Sequence, residues 1–127
     1  MFQLREIDLG ELDGLPVDEV KSRFPGELQR RGENFVTYRP PGGESFADVH
    51  ARVVPLFEKI VQRAKGNVLI VGHAGVNRVI LCHLLAIPLA HLFRLGQDYG
   101  SLSIIDNEKG DMRLQAMKVS PLFNKEV

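Results

Sequence analysis

Apolar residues recur three and four positions apart over one long stretch, at Phe46, Val49, Val53, Phe57, Ile60, Val61 and Ala64. That spacing predicts an amphipathic helix with one buried stripe. Ser45 stands three residues ahead of Asp48, a carboxylate variant of the capping box, so the helix is expected to start there. Pro55 lies inside the stripe, where it removes a backbone donor and crowds the preceding turn; a kink or local break is expected near it, while the stripe on both sides argues for continuity. Upstream, "LPVDEVKSRF" (residues 15–24) predicts a shorter helix ended before Pro25, and "GELQRRG" adds a turn or two. The densest turn chemistry, "YRPPGGES" (residues 38–45), reads as a loop between helical regions.

A different pattern follows. "VLIV", residues 68–71, is apolar on both faces, which predicts a central strand of a parallel sheet covered by helices on each side. "GVNRVILCHLLA" continues as a mostly apolar helix and "IPLAHLF" as a short one. "SLSIID" and "MRLQAMKV" read as strands joined by the turn-rich "NEKGD", a hairpin. The alternation predicts an α/β layered fold. Without repeat, low-complexity tract or linker, residues 1–127 are expected to form a single domain.

Charge removes several function classes. Sixteen Lys and Arg balance sixteen Asp and Glu, so no global field draws the chain to nucleic acid or an anionic membrane. Any anion must be held locally. No apolar run reaches the roughly 18 residues of a membrane span, and "MFQLREIDLG" lacks the regions of a signal peptide. The lone cysteine, Cys82 in "VILCHLLA", reads as a small buried thiol. These features together predict a cytoplasmic protein.

Candidate chemistry centres on "VLIVGHAGVNRVI", where an apolar strand runs into Gly72, presents His73, passes Gly75 and re-enters an apolar helix. Ligands of α/β sheets gather beyond the carboxyl ends of strands, where the next helix aims its unpaired N–H groups and positive dipole end. Two glycines allow close backbone approach; His73 can donate charge-assisted hydrogen bonds and the Ala74 N–H adds another. Alone, the pattern reads equally as a histidine satisfying a carbonyl at a glycine turn. Near the start, "LREIDLGELDG" gathers Arg5, Glu6, Asp8, Glu11 and Asp13 around two glycines, which alone reads as a solvated acidic loop. His50, His83 and His91 lie in helical stretches and read as structural or surface residues. Their spacing with His73 matches no zinc ligand set. Arg30, Arg31 and Arg39 read as solvated surface.

In order along the chain, "LREIDLGELDG", "PGGESFADV", "VLIVGHAGVNRVI" and "GQDYGSLSIID" make it similar to the histidine phosphatase superfamily, the phosphoglycerate mutase-like proteins. The nearest likeness is to the small bacterial phosphatases that include α-ribazole phosphatase. The resemblance implies a three-layer sandwich with a mostly parallel sheet. It also implies a histidine nucleophile that takes the phosphoryl group and passes it to water. By motif match, Glu6 would be the acid/base, and His73 the second histidine of the phosphate pocket. Gly72, Ala74 and Arg5 would complete substrate binding. No cofactor or metal is implied.

The family's nucleophile belongs to an N-terminal strand ending in Arg-His-Gly, a motif these residues do not contain. A fragment, a misassigned start and a pseudo-enzyme all fit that departure. Were the 127 residues complete, the sheet edge left bare is expected to drive homodimer formation by strand exchange. The expected function is hydrolysis of a small phosphomonoester, α-ribazole phosphate being one candidate. A noncatalytic phosphate-ligand binder or interaction module is the first alternative and a phosphoglycerate mutase the second. A small phosphorylated metabolite is the expected partner.

Overall fold

The computed structural model describes residues 2–108 and 110–119. In chain order its regular elements are helices α1 (Val17–Arg23), α2 (Glu27–Glu33), α3 (Phe46–Arg63) and α4 (Ala74–Leu85), then strands β1 (Leu102–Glu108) and β2 (Asp111–Val119). Tight 3-10 turns occupy Phe2–Leu4, Gly10–Leu12 and Leu89–Arg94.

The core is the seam between α3 and α4. Val49, Val53 and Phe57 of α3 meet Val76, Val79, Ile80 and Leu81 of α4, with Leu4 and Leu92 closing the ends. Each such burial contributes roughly 1.5–3 kcal/mol before the entropy of ordering is subtracted. An aromatic group of Phe35, Phe46 and Phe93, with centroids 5.2–6.3 Å apart, seals one flank of α3. Cys82 is buried in the same core, and burial pushes its thiol pKa up.

The start of α3 follows from the sequence. The Ser45 hydroxyl accepts from the Asp48 N–H at 3.1 Å, and the Asp48 carboxylate accepts from the Ser45 N–H at 2.9 Å. Arg39 grips the same carboxylate through Nε at 2.7 Å and Nη2 at 2.6 Å. The expected break at Pro55 does not occur, and α3 runs through it without interruption. Pro55 and Ala51 both face solvent, where water can take the carbonyl that Pro55 leaves without a donor, while the opposite stripe stays packed. Helix α4 is apolar nearly all round, as its burial requires, and ends at Ala86, in the left-handed region at φ 54°, with Pro88 just beyond.

The largest departure concerns residues 68–71. They are extended but join no sheet among the described residues, and Leu69 is 75% and Val71 83% exposed. The expected central strand is not formed among the described residues; a strand exists only when neighbours take its N–H and C=O groups, and the described sheet pairs β1 with β2 alone. The described sheet is the antiparallel β1–β2 hairpin, and its strands run further into the expected turn than the sequence suggested. A groove of about 750 Å³ separates the extended segment from β1, with Phe57, Ile60 and Ile80 among its lining residues. "IPLAHLF" forms the 3-10 turn Leu89–Arg94 in place of a short α-helix. No helix among the described residues is long and apolar enough to cross a membrane.

Removing the α3 cap by Ser45→Ala is expected to cost about 1 kcal/mol, read from chemical denaturation. The Arg39 guanidinium and the Ser45 N–H hold the Asp48 carboxyl well below the usual range. Its contribution is therefore complete above the ordinary aspartate pKa and is lost as pH falls through the lower folded value. Asp48→Asn should flatten the loss of stability from about pH 4 downward, and an unchanged acid limb would show that this carboxylate carries none of it.

Candidate functional site

Helix α4 begins at the end of the extended segment, with exposed His73 as its N-cap residue at φ −113° and ψ 160°. The His73 carbonyl accepts the first helical bond, from the Asn77 N–H at 2.8 Å, and its side chain makes no capping bond. The imidazole is thus carried outward at the positive end of α4.

Glu6 arrives at the same place from 69 residues away in sequence. Its Oε2 accepts from the Gly75 N–H at 3.2 Å, and its Oε1 accepts from the Ile7 N–H at 2.9 Å. A Cβ on Gly75 would sit 2.5 Å from Glu6 Oε1. Glycine at 75 therefore leaves the Glu6 carboxyl its place, where the sequence suggested room for an anion. Gly72 is crowded more mildly, a Cβ there lying 3.0 Å from Asn77 Oδ1. Ala74 is the first residue of α4, so its N–H belongs to the same helix terminus. Arg5 stands beside Glu44, with Nη2 to Oε2 at 3.9 Å. Glu6, Gly72, His73 and Ala74 are brought to one end of α4, with Arg5 next to Glu6 in the chain.

Two motifs that read separately as loops are docked on each other. The Glu11 N–H donates to the Pro41 carbonyl at 2.8 Å, and the Glu44 N–H donates to the Asp8 carbonyl at 2.7 Å. Gly10 holds φ 58° with its α-carbon so close to the facing loop that a Cβ would lie 2.1 Å from the Pro41 oxygen. Backbone contact of this kind needs glycine, whatever the turn type.

Sequence reasoning missed Arg52 and Glu44. Arg52 meets Glu44 through Nε at 2.8 Å and Nη2 at 3.1 Å, and donates to the carbonyls of Gln3, Arg5 and Glu6. The Arg52 hydrogen bond, with the Asp8 N–H and nearby arginine charge, holds the Glu44 carboxyl below its ordinary pKa against an opposing burial effect. The available signal was an arginine seven residues after "GES" in a helix; its partners, backbone carbonyls, have no sequence signature.

His83, near the opposite end of α4, and His50 make other contacts. His83 Nε2 is 2.5 Å from Glu58 Oε1, and its ring meets that of His50 edge-on at 6.1 Å. Arg30 pairs with Glu27, which also bonds the Tyr38 hydroxyl. No group of three or more His, Cys, Asp or Glu suited to a metal ion occurs among the described residues.

Residues 2–120 match the family model of the histidine phosphatase superfamily, branch 1. Phosphoserine phosphatase 1 of Hydrogenobacter thermophilus is 33% identical over 105 residues, covering 82% of this chain and 50% of that protein. The 6-phosphofructo-2-kinase/fructose-2,6-bisphosphatase of Caenorhabditis elegans is 35% identical over 89 residues, covering 70% of this chain and 19% of that protein. A mycobacterial glucosyl-3-phosphoglycerate phosphatase, solved with inorganic phosphate, superposes with a TM-score of 0.77 at 28% identity, over 94% of this chain and 64% of that one. The α-ribazole phosphatase of Shigella flexneri gives a TM-score of 0.85 at 20% identity, over 98% of this chain and 63% of that one, a likeness of fold. It is the α/β fold expected from the sequence. The chain spans half or less of the length of these curated relatives and under two thirds of these solved structures.

Gly75→Ala is expected to push the Glu6 carboxyl off the α4 terminus. The amides of Ile7 and residue 75 should then lose hydrogen-exchange protection together, whereas retained protection at both would contradict the close contact.

Proposed function

The chain belongs to the histidine phosphatase superfamily, and we propose that it carries the acid/base and second-histidine half of a site that hydrolyses a small phosphomonoester. The observation that carries this reading is the Glu6 carboxylate on the Gly75 N–H, two residues beyond exposed His73. One helix terminus thereby gathers an anion-binding dipole end, a cationic or donating imidazole and a proton carrier.

In the proposed reaction a histidine of an Arg-His-Gly strand attacks phosphorus, and the bond to the leaving oxygen breaks. Glu6 gives that oxygen its proton. Water then attacks the phosphohistidine, Glu6 takes back a proton, and the P–N bond breaks to release phosphate. Throughout, His73 and the Ala74 N–H face the nonbridging oxygens, where negative charge is carried through the transition state. In this reading the strand that bears the nucleophile would occupy the groove between residues 66–70 and β1. Histidine, arginine and helix dipole handle the phosphate charge, so the proposed chemistry needs no metal.

For the substrate we propose a small phosphorylated metabolite. The names of the relatives suggest phosphoserine, fructose 2,6-bisphosphate and α-ribazole phosphate for a first panel.

A chromogenic aryl phosphate assay, run on the chain and on a version extended upstream in its reading frame, tests the reading. Turnover with an acid-labile phosphohistidine is expected once the nucleophile is present. In the active form, Glu6→Gln should lower kcat by about 10²–10⁴-fold with KM little changed, and His73→Ala should weaken binding of inorganic phosphate or vanadate. Phosphate binding without turnover or phosphohistidine in either form would favour a noncatalytic binder, and unchanged turnover in Glu6→Gln would remove the proton-transfer role.

A further inference from the structure

Glu6 sits in a stretch, residues 5–9, that belongs to no helix or strand. Apart from the adjacent Ile7 N–H on Oε1, no regular element of its own fixes where its carboxyl points. A group that must deliver a proton to one oxygen needs its geometry held by something else. Arg52 lies in the first half of α3, with its side chain 14% exposed, and spends its guanidinium on this stretch. Nη1 donates to the Gln3 carbonyl at 2.5 Å, and Nη2 donates to the carbonyls of Arg5 at 2.9 Å and Glu6 at 3.2 Å.

The other side of the guanidinium is locked by Glu44, on Nε at 2.8 Å and Nη2 at 3.1 Å. Glu44 then grips the chain beyond Glu6, where its Oε1 accepts from the Asp8 N–H at 3.0 Å and its own N–H donates to the Asp8 carbonyl at 2.7 Å. The stretch is therefore pinned before, at and after Glu6 by one arginine–carboxylate pair anchored on the capped end of α3. A planar fork is required, since lysine offers one point charge and cannot meet a carboxylate and several carbonyls in different directions.

We infer that Arg52 and Glu44 are positioning residues for the Glu6 carboxyl, a role that rests on the proton-transfer reading given above for Glu6. Neither takes a proton in the reaction. Arg52 acts through the backbone of residues 3–6, and Glu44 acts by fixing Arg52 and Asp8.

The reporter is the Gly75 amide, which binds the Glu6 carboxyl directly. In Arg52→Gln the Gly75 amide resonance should move toward its position in Glu6→Gln, and the Arg52→Gln/Glu6→Gln double variant should lie with Glu6→Gln alone. Arg52→Lys should restore little of the shift. In the active, extended form, Arg52→Gln should lower kcat by about 10²-fold with KM nearly unchanged, and should add nothing further in the Glu6→Gln background. A Gly75 resonance left at its wild-type position, or kinetic effects of the two substitutions that simply add, would overturn the inference. Should Arg52→Gln fail to fold, Glu44→Gln carries the same test with the arginine retained. If Glu6→Gln leaves turnover intact, the proton-transfer reading falls, and the Gly75 resonance in Arg52→Gln still decides whether the pair positions Glu6.

Discussion

A carboxylate resting on the first turn of a helix is the contact on which the proposed chemistry depends. Glu6 meets the Gly75 N–H at 3.2 Å, and that one bond joins the N-terminal stretch to the element that presents His73. A negative charge at the positive end of a helix is favourable in itself. Here it also brings an acid to the helix terminus whose N-cap residue is His73. The surrounding structure accommodates this contact: position 75 has no side chain to displace the carboxyl, and the apolar seam anchors α4 against α3.

The same constraint explains why two loops of ordinary composition are packed backbone against backbone. Residues 8–11 and 41–44 exchange N–H and C=O bonds across glycines that leave no space for a side chain. Arg52 and Glu44 then tie that double loop to the capped start of α3. The capping box of Ser45 and Asp48 serves the site indirectly, since it fixes the helix end from which Glu44 and Arg52 reach. Stability and site geometry are coupled through the stretch from Glu44 to Arg52.

Features carried by local periodicity were legible in the sequence. The stripe from Phe46 to Val61, its cap at Ser45, the short helices before it and the closing hairpin all express spacings of 3.6 or 2 and their turn residues. Glu6 and His73 were legible as a pair only through the ordered motifs, because nothing local says that two residues so far apart in the chain share a helix terminus. At Pro55 the continuous stripe was the better guide than the proline, since solvent on that side of α3 lowers the cost of the lost bond. Residues 68–71 were read as a strand from apolarity alone, yet strand pairing belongs to partners and not to a segment. Arg52 was invisible because its ligands are mostly carbonyl oxygens, which every residue has.

Titration with inorganic phosphate, followed by NMR at the Ala74 and Gly75 amides, the Glu6 carboxyl and the His73 ring, addresses the central claim most directly. All four should shift along one saturation curve, as expected when one anion sits between them. Saturable phosphate binding that moves the His73 ring and leaves the Glu6 carboxyl and Gly75 amide in place, or that moves none of them, would contradict a shared site.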